Sequence, residues 1–151
     1  MTGTETLDVR VGVDLVQVSR VRRLLVEQPA AQAELFTPRE LAACGTKRSR
    51  FARLAARFAA KEAVLKAFGT GLGPRMRWHD VEIVNEPYGR PRVLLHGERV
   101  RSLAQRMTGS PEISMSHTGD VALAHAVIVM RPASPWQPQP TDRESHALSP
   151  D

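Results

Sequence analysis

Two carboxylates and a lysine carry the chemistry that can be read from this sequence. Glu62 and Lys66 stand four apart in Arg57-Phe58-Ala59-Ala60-Lys61-Glu62-Ala63-Val64-Leu65-Lys66. The stretch is rich in Ala, Leu, Lys and Glu, with no Gly or Pro before Gly69, so the two side chains share one face of a helix. A carboxylate beside cations suits a divalent metal together with the phosphates it bridges. A solvated helix with an ordinary Glu–Lys pair fits the same spacing. Arg53, Arg57 and Lys61, also four apart, form an adjacent cationic stripe, and Phe58, Leu65 and Phe68 with the alanines supply an apolar side. Asp14 closes the stretch from Asp8, in which Val9, Val11 and Val13 alternate with other residues as in a half-buried strand. It reads either as the cap of a following helix or as a second metal ligand. His117 ends a later strand, after small hydroxyl residues and before Thr118 and Gly119, a turn able to offer donors to an anion. A purely structural histidine fits that position as well.

Charge narrows the partners. The chain has 151 residues and a formal net charge of +5. Between Arg10 and Arg57 ten Lys and Arg face four acids, Asp14, Glu27, Glu34 and Glu40. An acidic partner follows: a nucleic acid, an anionic protein or a phosphorylated small molecule. Aromatic residues make up only 5% and none interleaves with a basic stripe, which argues against a single-stranded nucleic-acid surface. Arg20 and Arg23, three apart, form a compact positive edge suited to an acidic helix, unless they merely line a solvated face. Cys44 is single, which excludes a disulfide framework and a zinc knuckle, and it reads as a half-buried structural thiol. His79, His96, His125 and His146 have no chemical setting. The polar start, Met1 to Thr6, lacks an apolar signal core, and no stretch approaches the roughly twenty apolar residues of a membrane span. A cytoplasmic protein without a membrane partner is expected.

The elements that must position these groups are legible in outline. Val18, Val21 and Leu25 space out as the buried stripe of a helix from about Leu15 to Glu27. Thr37, Pro38 and Glu40 form a capping box with proline at the first helical position, and Gly45 ends that helix. The long helix spans about Ser49 to Phe68, with Gly69 just past its end. The glycines that follow come after a helix C-terminus, where no backbone amides point at an anion, so neither a Walker nor a dinucleotide loop is present. Strands over Asp80–Asn85 and Arg92–His96, joined by Glu86-Pro87-Tyr88-Gly89-Arg90-Pro91, predict a hairpin. A one-sided helix through Val100, Leu103, Ala104 and Met107 follows. A second hairpin pairs the strand carrying Ile113 and Met115 with Val121 to Val129. These elements predict an α+β fold, an antiparallel sheet packed against a long helix in a single compact domain over residues 1–130. Residues 131–151, rich in Pro, Ser, Gln and Thr, predict a disordered tail.

Val11-Gly12-Val13-Asp14, the segment from Arg57 to Lys66, and Ile113-Ser114-Met115-Ser116-His117 together resemble the three motifs of the holo-acyl-carrier-protein synthases, the small 4'-phosphopantetheinyl transferases. Phe36 to Leu41, Asp80 to Ile83 and Gly89-Arg90-Pro91 also fit, and the resemblance covers about Val9 to Ile128 in order. It implies the fold of that family and transfer of the phosphopantetheine arm of coenzyme A to a serine of an apo-acyl carrier protein, releasing adenosine 3',5'-bisphosphate. Asp14 and Glu62 would hold Mg2+ against the pyrophosphate, and Lys66 would contact the same phosphates. Arg57, Ser116, His117 and Thr118 would bind coenzyme A. Glu62, a metal-held water or His117 would handle the serine proton. Arg20 and Arg23 would receive the acidic helix of the carrier, and three copies would share sites between subunits. Some relatives carry an acidic residue directly after the third-motif histidine, where this chain has Thr118. Two other readings stay open: a metal-dependent nucleotide or coenzyme A hydrolase, and a basic nucleic-acid-binding module.

Overall fold

The computed structural model describes residues 6–132. Residues 1–5 and 133–151, with His146 and nearly all of the expected tail, lie outside the described residues. Strand β1 (Asp8–Gln17) leads into helix α1 (Val18–Glu27), followed by α2 (Ala30–Leu35), α3 (Pro38–Cys44) and the long α4 (Arg50–Phe68). A 3-10 turn at Trp78–Asp80 opens the hairpin of β2 (Val81–Asn85) and β3 (Pro91–Leu95). Helix α5 (Glu98–Ala104) precedes the second hairpin, β4 (Glu112–Thr118) and β5 (Val121–Met130). One antiparallel sheet has the order β1-β5-β4, the other is the β2-β3 pair, and α4 packs against the first. No helix among the described residues is long and apolar enough to cross a membrane.

Three expectations need correction. Strand β1 runs three residues further than its sequence pattern suggests, because Leu15, Val16 and Gln17 continue the ladder opposite Leu123, Ala122 and Val121. The first helix therefore starts at Val18, and Asp14 lies inside the strand rather than at a helix cap. The second correction concerns which face of β1 is buried. Val9, Val11, Val13 and Leu15 are each more than half exposed, whereas Gly12 is buried against α4. A Cβ built on Gly12 would fall 1.9 Å from the carbonyl oxygen of Ala63. The missing side chain lets strand and helix backbones touch there, which decides the face.

The third correction concerns the cationic stripe of α4. Only Arg53 is exposed; Arg57 and Lys61 are buried. The Lys61 ammonium, 0% exposed, sits 2.8 Å from Glu40 Oε2 and donates to the carbonyl of Trp78 at 2.9 Å. Glu40 closes the expected capping box with Thr37 and also accepts from the amide of Ile83 at 2.8 Å. Burial pulls the Lys61 ammonium toward losing its proton and the Glu40 charge pulls the other way, the balance falling below the usual lysine range. An ion pair this dry persists only when its remaining hydrogen-bonding capacity is met, as it is here. It ties α4 to α3 and to β2. Phe36 packs under the same ammonium, and Cys44 is fully buried beside Phe36 and Leu54, with burial raising its thiol. The cysteine is therefore deeper in the core than expected.

Gly12→Ala places a methyl group where the Ala63 carbonyl stands, and neither backbone can yield without parting β1 from α4. Urea unfolding of this variant is expected to show a loss of about 3 kcal/mol, at the upper end for an overpacked core. A loss below about 1 kcal/mol would mean that the contact is looser than the structure has it.

Candidate active site

Asp14 stands two residues beyond Gly12 on the same face of β1, so the close contact of strand and helix carries it to the surface of α4. The Lys66 ammonium lies 2.8 Å from Asp14 Oδ1 and donates to the carbonyl of Val13 at 3.0 Å. The hydrogen bond to Asp14, with the charges of Asp14 and Glu62, holds the Lys66 proton more firmly than usual. Glu62, one turn before Lys66, is half-buried. Burial pushes its carboxyl above the ordinary 4.5, and the charge of Asp14 adds to the rise while Lys66 opposes it. Two acids and a cation from separate elements thus converge. Lys66 pairs across to Asp14 on the strand, rather than with Glu62 along the helix as the alternative of an ordinary Glu–Lys pair would have it.

Asp14 and Glu62 open into a cavity of about 770 Å³ between β1, α1 and α4. Arg20 and Arg23, exposed on α1, stand on its rim, and Val21, Leu24 and Phe58 give it an apolar wall. A groove lined by acids, two guanidinium groups and apolar side chains suits a ligand with both charged and neutral parts.

Arg57 and His117 lie elsewhere. With Ser116, Arg53, Asn85 and Ser114 they line a second cavity of about 300 Å³. Arg57 donates to Asn85 Oδ1 at 2.5 Å, and its buried Nε has no partner among the described residues. An unsatisfied guanidinium donor beside a second arginine fits an anion that would complete its hydrogen bonds. Alternation along β4 puts His117 on the face of Ile113 and Met115, and puts Ser116 and Thr118 on the opposite face. Within one chain, therefore, the acids with Lys66, Arg20 and Arg23 form one group, and Arg57 with Ser116 and His117 form another. Thr118 lines neither cavity.

Two participants were not legible in sequence. Asn85 orients Arg57 from the far end of β2, a pairing that no local pattern encodes. Asp120, in the turn after β4, accepts from the Ser19 amide at 2.7 Å and from the Ser19 hydroxyl at 2.5 Å, and its carbonyl accepts from the Val18 amide at 2.9 Å. It supplies the cap that α1 lacks within its own segment. The only sequence signal was the absence of a Ser, Thr, Asp or Asn just before Val18.

The profile of the 4'-phosphopantetheinyl transferase superfamily matches residues 10–124. A holo-[acyl-carrier-protein] synthase of Moorella thermoacetica is 47% identical over 118 residues, spanning 78% of this chain and 91% of that protein. Among solved structures, an ACPS–CoA complex of Chronobacterium ammoniagenes superposes with a TM-score of 0.72 at 30% identity, covering 83% of this chain and 99% of the other. A holo-(acyl-carrier-protein) synthase from Bacillus anthracis in complex with CoA (3',5'-ADP) gives 0.67 at 29% identity, with coverage of 83% and 99%.

Proposed function

The chain belongs to the 4'-phosphopantetheinyl transferase superfamily, among its holo-[acyl-carrier-protein] synthases, and we propose that the acids of β1 and α4 are where its transfer from coenzyme A to a carrier serine takes place. The observation that carries this is the convergence of Asp14, Glu62 and Lys66, with both acids lining a groove that Arg20 and Arg23 also line. The reaction joins the serine oxygen to the phosphorus that carries the pantetheine arm. The bond from that phosphorus to the bridging oxygen breaks, and adenosine 3',5'-bisphosphate leaves with the oxygen.

The residues fit a magnesium ion. Among the described residues no third acid, histidine or cysteine joins the two carboxylates. Mg2+ commonly takes one or two carboxylates and fills its remaining positions with substrate phosphates and water. The raised carboxyl of Glu62 is partly the mark of two acids crowding each other. Asp14 and Glu62 would hold the ion, which when bound neutralises charge on the phosphate under attack and on the leaving phosphate. Lys66, one turn beyond Glu62, meets the same phosphates as a point charge. Glu62 or a metal-held water would take up the serine proton, with His117 a further candidate. Arg20 and Arg23 receive the acidic helix of the carrier by charge complementarity. Arg57 offers its unpartnered Nε to the ribose phosphate of coenzyme A, with Ser116 and His117 of the same cavity as further contacts.

A site shared between copies explains why these two groups occupy separate cavities within one chain. The outer face of the β1-β5-β4 sheet supports assembly. Val9 pairs with Val129, Val11 with Val127 and Leu15 with Leu123, and the β1 members of this apolar patch are largely exposed. An apolar sheet face of this extent in a single chain marks an interface. A homotrimer, as in the resemblance, covers it, and a cytoplasmic setting is consistent with the coenzyme A chemistry.

Incubation with coenzyme A, Mg2+ and an apo-carrier protein should add one phosphopantetheine group to the carrier, read by intact mass. Glu62→Gln is expected to slow that transfer by at least about 100-fold, the size of a lost base or ligand, with the thermal midpoint little changed. Undiminished transfer in this variant removes Glu62 from the site. For the assembly, Val11→Asp should convert the oligomer seen by sedimentation into single chains and abolish transfer with it. An unaltered sedimentation profile would rule out the outer face as the interface.

A further inference from the structure

Helix α1 carries the arginines on the rim of the groove, yet it begins without a cap of its own. Gln17, at the cap position, makes no side-chain bond to the first turn. The first amides of a helix have no partner within it and must find one elsewhere. Asp120 supplies it from a distance of about a hundred residues in sequence. Its carbonyl takes the Val18 amide at 2.9 Å, and one carboxylate oxygen takes the Ser19 amide at 2.7 Å. The other oxygen takes the Ser19 hydroxyl at 2.5 Å. The negative charge also sits where the helix dipole favours it. Gly119, with φ of 53°, makes the tight turn that swings Asp120 back toward α1.

We propose that Asp120 is a positioning residue that sets the helix bearing Arg20 and Arg23 at the angle needed to receive an acyl carrier protein. The inference rests on the reading of α1 as the carrier-docking helix and adds to it a residue outside the three sequence motifs. The three bonds hold α1 at its first turn, one residue before Arg20. Without them the first turn frays, and both arginines lose their fixed height above the groove. All three bonds go to α1 and none to the strand end at His117 and Thr118, so the loss of Asp120 falls on the helix assigned to the carrier. A helix cap elsewhere on the surface would affect only stability; this one reaches a binding step.

Steady-state kinetics with the full chain separate the two cases. Carrier is titrated at saturating coenzyme A, then coenzyme A at saturating carrier, for Asp120→Ala, Asp120→Asn and Ser19→Ala. Asp120→Ala should raise the carrier KM by about fivefold, the effect of one lost helix cap, and leave the coenzyme A KM and kcat within about twofold. Asp120→Asn keeps an oxygen for the Ser19 amide and should recover most of the affinity. Ser19→Ala, which loses only the hydroxyl bond, should fall between. Hydrogen exchange over residues 18–24 should quicken in Asp120→Ala while α4 stays protected. An unchanged carrier KM, or both KM values rising together, overturns the proposal while the transferase reading stands. A wild-type chain that modifies no carrier rejects the transferase reading, and the role of Asp120 falls with it.

Discussion

The contact of Gly12 with Ala63 fixes the rest of this structure. A strand and a helix normally meet through side chains, and their backbones stay well apart. Here a single glycine removes the spacer, and a Cβ in its place would lie 1.9 Å from a carbonyl oxygen. Everything that follows from bringing β1 down onto α4 depends on that closeness. Asp14, two residues along the strand, comes within hydrogen-bonding reach of Lys66 and near enough to Glu62 for their charges to repel. The acids are 48 residues apart in sequence, and the helix and sheet geometry alone would leave them on separate layers.

The buried Lys61–Glu40 pair fixes the remaining freedom, the rotation of α4 about its axis. Lys61 immediately precedes Glu62, so holding its ammonium against Glu40 and the Trp78 carbonyl sets Glu62 about 100° further round the helix, where it lines the groove. A dry ion pair adds little to stability compared with apolar residues of the same volume, but it tolerates few alternative arrangements. The network extends through the Thr37 hydroxyl, 2.7 Å from Glu82 Oε1, and on from Glu82 to His96. Packing at α3 and β2 is thereby linked to the orientation of Glu62 on the adjacent face of α4.

Local chemistry was readable in the sequence and long-range chemistry was not. The capping box at Thr37 to Glu40, the left-handed glycine after Phe68 and both hairpins appear where turn and cap residues put them, because each depends on neighbours within a few positions. The boundary after Asp14 was misplaced because β5, more than a hundred residues later, extends the ladder to Gln17. Burial of Lys61 and Arg57 was hidden because their partners, Glu40 and Asn85, are distant in sequence. The valine row of β1 reads as a buried face in sequence, yet these side chains are more than half exposed, because alternation cannot say which face meets the helix. Gly12 takes the inner side against α4, and the valines face outward. Asp14, Glu62 and Lys66 were picked out by residue type and motif, and the structure brings them together. His117 and Arg57 were picked out as well, but lie in a separate cavity of the chain.

The central claim is that Asp14 and Glu62 act as one cation site facing the pyrophosphate of coenzyme A. It is tested most directly by crystals of the protein grown with coenzyme A and Mn2+, with the metal located by its anomalous scattering. The account predicts a manganese peak touching a carboxylate oxygen of each acid and an oxygen of the pyrophosphate, with Lys66 turned from Asp14 toward the phosphates. A peak bound by neither acid, with coenzyme A in place, would contradict it.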